Sequence, residues 1–159
     1  MKLVYSRPIL HDLSQGSRIT FARHFRLMSQ DEVAGLLGAG GKCRRRTMTR
    51  YEKGDRNPEV SRTKKIANIL NVSYYAIKRY DYKDPLDVIY SLMWYEELFP
   101  NYHFDLSEVK ELNEEYLIII NDFITEWESM RLKRKRKEIK YSEYIEWKLT
   151  YDLNKKEDV

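Results

Sequence analysis

Apolar residues in the first half of the chain recur at helical spacing in short, separately capped runs. Ile19, Ala22 and Phe25 share one face and predict a helix over residues 17–27. Ser29 followed by Glu32 has the form of a capping box, and Val33, Ala34 and Leu37 then carry a second, short helix. Gly38 stands where a C-cap glycine belongs. "RRRTMTRYE", residues 44–52, predicts a third helix, stopped by "KGDRNP", where Gly54 is free to take positive φ. Thr63, Ile66, Ala67 and Leu70 mark a fourth at i, i+3, i+4, i+7. Ser73 caps a fifth, with Val72 and Ile77 placed as a hydrophobic staple around it. Five short amphipathic helices predict a compact all-α unit.

The pattern changes after residue 80. Asp84 as N-cap and Pro85 at the first helical position open a helix that Pro100 closes, with Leu86, Ile89, Tyr90, Met93 and Glu97 on one stripe. Val109, Leu112, Tyr116, Ile119, Phe123 and Met130 then recur at near-heptad spacing, with Ile120 and Trp127 beside them. They predict one long helix from about residue 107 to about 137. Ser142 is placed to cap a last helix carrying Tyr144, Ile145, Trp147 and Tyr151. The long stripe fits two roles that do not exclude each other: the core of a helical module, or the seat of a second chain.

Charge separates the same two halves. Residues 1–80 hold 17 Lys+Arg against 6 Asp+Glu, a net of +11, while residues 81–159 hold 12 against 19, a net of −7. A basic module joined to an acidic one is the pattern of a nucleic-acid binder with a separate interaction module. The expected organisation is an N-terminal arm at 1–15, a DNA-binding domain at 16–80 and an acidic helical dimerisation or interaction module at 81–159.

Other chemistry finds little footing. "GLLGAGGK" fails as a phosphate loop, because Leu36 stands at the leading glycine position and Cys43 at the hydroxyl position. The single cysteine excludes an internal disulfide and a cysteine-based zinc site, and the three histidines have no ligand spacing. No catalytic constellation is legible, so neither enzyme activity nor a cofactor or metal is expected. No apolar run approaches the length of a membrane span, and Ser6, Arg7 and Pro8 interrupt any signal-peptide core. The expected location is the cytoplasm.

The segment "SRITFARHFRLMSQDEVAGLLG…TMTRYEKGDRNPEVSRTKKIANILNVS" resembles the helix-turn-helix domain of the Cro and lambda-repressor type, the XRE family. The likeness covers residues 16–80 and rests on Ser29-Gln30, Ala34, the "TRYEKGDRNP" block and the "KKIANILNVS" block in order. It implies a five-helix lambda-repressor-like DNA-binding domain in which Gln30 helps to hold the DNA backbone and residues 45–51 form the recognition helix. Arg45, Arg46 and Thr49 would then face the major groove, with Thr47 and Arg50 near its rim and Lys53 and Asn57 at phosphates. Arg23 and Glu52 match a pair that ties the first helix to the end of the third in that family.

Arginine's planar fork suits guanine O6 and N7, and it also serves phosphates. Consecutive residues on a helix point about 100° apart, so Arg44, Arg45 and Arg46 cannot all face the bases. Arg45 or Arg46 is expected on bases and Arg44 on the backbone. The chain departs from the family in its turn, which usually holds about four residues. Here eight, Ala39 to Arg46, separate Gly38 from Thr47. The insertion makes either a wing that brings Lys42 to a phosphate or a longer recognition helix.

A second basic run, Arg131 to Lys140, has seven bases and one acid. It fits a solvated helix C-terminus and, as the alternative, a further DNA-backbone contact. Taken together, the resemblance implies a prokaryotic or phage-borne transcriptional regulator that binds double-stranded DNA, a repressor acting as a homodimer. The alternative is a partner-binding effector, such as an antitoxin or protein inhibitor, that engages a heterologous protein through residues 81–159 and autoregulates through its DNA-binding half.

Overall fold

The structure, a computed structural model, describes residues 8–38, 40, 41, 44–101 and 114–152. Among them the secondary structure is entirely helical. The chain divides into two compact units, Met1–Asp81 and Tyr82–Val159. The first holds α1 (Gln15–Phe25), α2 (Gln30–Leu36), α3 (Arg44–Lys53), α4 (Val60–Leu70) and α5 (Tyr74–Ile77). The second holds α6 (Pro85–Leu98), α7 (Glu114–Lys135) and α8 (Tyr141–Thr150).

Local signals set most boundaries in the first unit. Ser29 Oγ accepts from the Glu32 N–H at 3.1 Å, and the Glu32 carboxylate accepts from the Ser29 N–H at 2.6 Å, completing the capping box. Gly38 follows α2 at φ 79° and Gly54 follows α3 at φ 78°, both in the left-handed region. Helix α1 begins at Gln15, two residues before the expected start, because the Ser14 hydroxyl caps the Ser17 N–H at 3.2 Å. Pro8 and Leu10, in the stretch assigned to an arm, are buried.

The core of this unit is drawn from all five helices: Ile19, Phe21 and Ala22; Val33 and Ala34; Met48; Ile66, Ala67 and Leu70; Ala76 and Ile77. Arginines of α1 add polar ties. Buried Arg18 donates to the carbonyls of Leu13 at 3.1 Å and Ala76 at 3.0 Å, and lies over the Tyr80 ring. Arg26 donates to the carbonyls of Leu70 and Asn71, each at 2.7 Å, at the left-handed C-terminus of α4.

In the second unit, Asp84 caps α6 at the Leu86 N–H, with Pro85 in the first turn. Ile89, Tyr90, Met93 and Trp94 of α6, Ile120, Phe123 and Trp127 of α7 and Tyr144, Ile145 and Leu149 of α8 are all buried and form the unit's core. Ser142 does not cap α8. The helix starts two residues earlier, with Lys140 at the cap, because the Glu143 carboxylate reaches back to the Lys140 N–H at 2.7 Å. Ile120, Phe123 and Trp127 of the long stripe face the unit's own core. The expected helix start near 107, with Val109 and Leu112, lies outside the described residues, as do the side chains of Tyr116 and Ile119.

The position of α3 depends on Gly16. A Cβ there would lie 2.4 Å from the Glu52 carbonyl oxygen and 2.6 Å from that of Tyr51. Backbone atoms of a packed helix cannot yield cheaply, so Gly16→Ala should destabilise the N-terminal unit by about 1–3 kcal/mol. Gly40 faces open space without positive φ, and Gly40→Ala should stay within about 0.5 kcal/mol. Denaturant unfolding followed by circular dichroism checks both; equal stability of the two variants would refute the close approach of α1 to α3.

Candidate nucleic-acid interface

Helix α3 has two unlike faces. Met48 and Tyr51 are 0% and 5% exposed and anchor it to the core. Arg44, Arg45, Arg46, Arg50 and Lys53 are exposed, and Thr47 and Thr49 half-buried. Arg46, Arg50 and Lys53 stand at i, i+4 and i+7 and form one outward cationic line. Arg45 and Thr49 lie on a neighbouring line turned toward α2.

That neighbouring line is seated by a chain of hydrogen bonds rising from the core. Arg23 binds the Glu52 carboxylate through both oxygens, Nε to Oε1 at 2.6 Å and Nη2 to Oε2 at 3.0 Å. The two side chains are only 8% and 6% exposed. Arg23 Nη1 also donates to the Met28 carbonyl at 2.8 Å, and Nη2 lies 3.1 Å from His24 Nε2. Burial first, then the Arg23 charge, hold the His24 imidazole below its usual pKa, which suits it to accept from Arg23. Gln30 Nε2 donates to Glu52 Oε2 at 2.7 Å. Its Oε1 accepts from Arg45 Nε at 3.1 Å and from the Thr49 hydroxyl at 3.0 Å.

Arg44 is committed elsewhere. It forms a two-pronged pair with Asp31 at the start of α2, Nε to Oδ1 at 2.8 Å and Nη2 to Oδ2. The hydrogen bond from Arg44 holds the Asp31 carboxyl below the ordinary carboxylate range. The inserted segment also lengthens the helix: α3 begins at Arg44, so Arg44, Arg45 and Arg46 all extend it ahead of Thr47. Gly40 and Gly41 are exposed ahead of it, whereas Lys42, expected at a phosphate, lies outside the described residues with Ala39 and Cys43.

Two helices joined by a turn, the second presenting a basic outer face, agree with the comparison to known families: residues 26–77 match the family model described as helix-turn-helix. The N-terminal unit carries a helix-turn-helix domain. No curated protein and no solved structure matches the chain. Helices α2 and α3 are the two helices that this motif joins by a turn, and the match supports a DNA-binding domain.

Gln30, Arg45 and Thr49 are therefore brought together within the helix-turn-helix, and Arg46, Thr47 and Arg50 border one shallow cavity with Arg56. Exposed Asn57 sits apart, beside a small polar cavity of about 160 Å³ after α3. Its wall also includes Arg56, Arg62 and Lys65. These three bases are absent from the set read from the sequence. Their signal was the basic spacing of "DRNPEVSRTKK", where a turn and the next helix carry charge to one small cavity.

Removing Glu52 leaves Arg23 buried without its counter-charge, which costs about 3–5 kcal/mol. Glu59 is exposed and makes no side-chain cap bond to α4, so its loss should stay within about 0.5 kcal/mol. The expected result is a melting temperature lowered far more by Glu52→Ala than by Glu59→Ala. Similar melting points for both variants would show that the ion pair is not what holds α1 to α3.

Proposed function

We propose that the protein is a sequence-specific transcriptional repressor that occupies operator DNA, with Arg45 and Arg46 reading bases. The observation that carries this reading is the seat of Arg45. Its Nε is taken by Gln30, while its two terminal nitrogens have no hydrogen-bond partner among the described residues. A guanidinium fixed at Nε presents the two-pronged edge that guanine O6 and N7 accept. Arg46, exposed at the head of the outward line, is the second reader. Arg44, held by Asp31, Arg50, Lys53, Asn57 and, if it joins them, Lys42 serve phosphates, which position the domain without specifying sequence. Thr47 lies at the groove rim, and Thr49 shares the Gln30 seat with Arg45.

A single helix-turn-helix buries little surface on DNA, and two copies on a pseudo-palindrome supply specific affinity in this architecture. Half-sites would lie about 34–36 Å apart, or at a multiple of that spacing. Residues 81–159 are the proposed source of self-association, their net of −7 keeping them off the duplex. The buried members of the long stripe, Ile120, Phe123 and Trp127, serve the unit's own core. Among the described residues, the exposed Val88, Phe99, Ile118 and Leu132 offer apolar side chains to a partner. The same exposed residues on an acidic unit favour the second reading, an effector that engages a different protein and regulates its own expression.

Selection of binding sites from random duplex DNA by the purified chain tests the main reading and should return one defined site. On that site Arg45→Ala or Arg46→Ala should lose about 1–3 kcal/mol and relax preference at one base pair. Lys53→Ala should weaken all sequences alike and reduce the salt slope by about one. An unchanged site and affinity in both arginine variants would remove α3 as the reader.

Sedimentation of the full chain, free and on the selected duplex, tests the assembly. Two copies on a two-fold symmetric site are expected. One copy on an asymmetric site, or a heterologous partner captured at fixed stoichiometry, would move the assignment to the effector.

A further inference from the structure

The C-terminal unit contains a cavity of about 670 Å³, bordered by Glu96 of α6, by Arg131, Arg134 and Lys135 of α7, and by Tyr144 of α8. Cavities of roughly 300–1,000 Å³ are the usual size for small-molecule sites. The charges around it are unevenly committed. Glu96 Oε1 accepts from the Tyr144 hydroxyl at 2.6 Å and from Lys148 Nζ at 3.1 Å, and Glu96 Oε2 lies 3.3 Å from Arg131 Nε. Lys148 also reaches Glu97 at 2.8 Å. The two inner carboxylates are thus matched by Lys148 and Arg131.

Arg134 and Lys135 stand outside this balance. Among the described residues neither has a carboxylate within ion-pair distance, and Glu128 is the one further acid at the rim. A cation near a helix C-terminus is favoured by the macrodipole and needs no ligand. An unconstrained one, however, would extend into water. Arg134 instead lies with its guanidinium 4.8 Å from the Tyr141 ring centre and 5.2 Å from that of Tyr144. A guanidinium laid against aromatic faces keeps its hydrogen-bonding edge pointed one way, ready for a two-pronged contact with a carboxylate or phosphate. The cavity wall beside it is apolar at Leu132, which is 49% exposed.

We propose that this cavity binds a small organic anion, its carboxylate or phosphate on Arg134 and Lys135 and its apolar body against the exposed side chain of Leu132. Size, charge and the fixed guanidinium point the same way. Inorganic anions would reach the cations but leave the apolar wall unused.

All three tryptophans, Trp94, Trp127 and Trp147, lie in this unit, so tryptophan emission of the full chain reports on it without interference from the DNA-binding half. The full-length protein is titrated with adenosine monophosphate, with benzoate and with inorganic phosphate, each at ionic strength held constant with sodium chloride. A saturable emission change is expected with at least one organic probe, about tenfold or more tighter than with phosphate. Saturation by the nucleotide alone assigns a phosphate ester, and by benzoate alone a carboxylate. Arg134→Gln should weaken the response about tenfold and Lys135→Gln, at an exposed position, severalfold, with unchanged far-ultraviolet circular dichroism. The proposal is overturned if no organic probe saturates, if phosphate binds as tightly as both, or if the Lys135→Gln and Arg134→Gln proteins titrate like wild type.

Discussion

The buried pair between Arg23 and Glu52 is the contact on which the outer face of α3 depends. Taking a guanidinium and a carboxylate out of water is costly, and a pair recovers that cost only with good geometry and further hydrogen bonds. Both conditions are met here. The carboxylate is held through both oxygens, and the remaining donors of Arg23 go to the Met28 carbonyl and to His24. The pair then does what an apolar contact cannot, since Glu52 Oε2 has capacity left for Gln30. Through Gln30 it fixes the direction of Arg45 and Thr49, two residues at the outer surface. A leucine pair would close the gap between α1 and α3, but it would leave Gln30 without an anchor and Arg45 free to rotate. Gly16 serves the same arrangement by letting α1 approach the last turn of α3 closely enough for the pair to form.

The C-terminal unit solves a related problem differently. Its core is aromatic, with Phe123 against Tyr151 at 4.9 Å and Trp147 against Tyr151 at 5.4 Å between ring centres. Aromatic cores bring polar edges with them, and these require partners. Trp127 Nε1 donates to the Tyr144 hydroxyl at 2.9 Å, and that hydroxyl donates onward to Glu96. The placement of Glu96 and Lys148 inside the unit follows from this: the carboxylate ends a chain that begins at a buried indole. Burial and the neighbouring Glu96 charge both push the Tyr144 phenol above its ordinary pKa, so it remains the donor in this link.

How legible this was in the sequence depends on the range of the interactions. The caps at Ser29, Ser73 and Asp84 and the α4 stripe act within a few residues, and they are found where the sequence places them. Ser142 misled because a hydroxyl at the right spacing was outweighed by Glu143, whose longer side chain reaches the Lys140 N–H. The α7 stripe was ambiguous because periodicity shows that a face is apolar but not what covers it. Tyr144, Ile145 and Leu149, distant in sequence, supply part of that cover. Gln30 was legible as a surface residue of the motif, but its role as a bridge between Glu52 and Arg45 required three helices to be placed at once.

Charge counting shows the same limit in another form. The basic excess of the first half pointed to nucleic acid, yet Arg18, Arg23 and Arg26 spend their guanidiniums on carbonyls and on Glu52 inside the unit. They contribute to the total and little to the face that would meet phosphate. What remains is concentrated on α3 and on the margin formed by Arg56, Arg62 and Lys65. A surface potential depends on where charges stand and how they are screened, not on their sum. The count is therefore weaker support for DNA binding than the arrangement, in which Arg46, Arg50 and Lys53 stand on one outward line of α3. The arginines with internal work keep that helix in place.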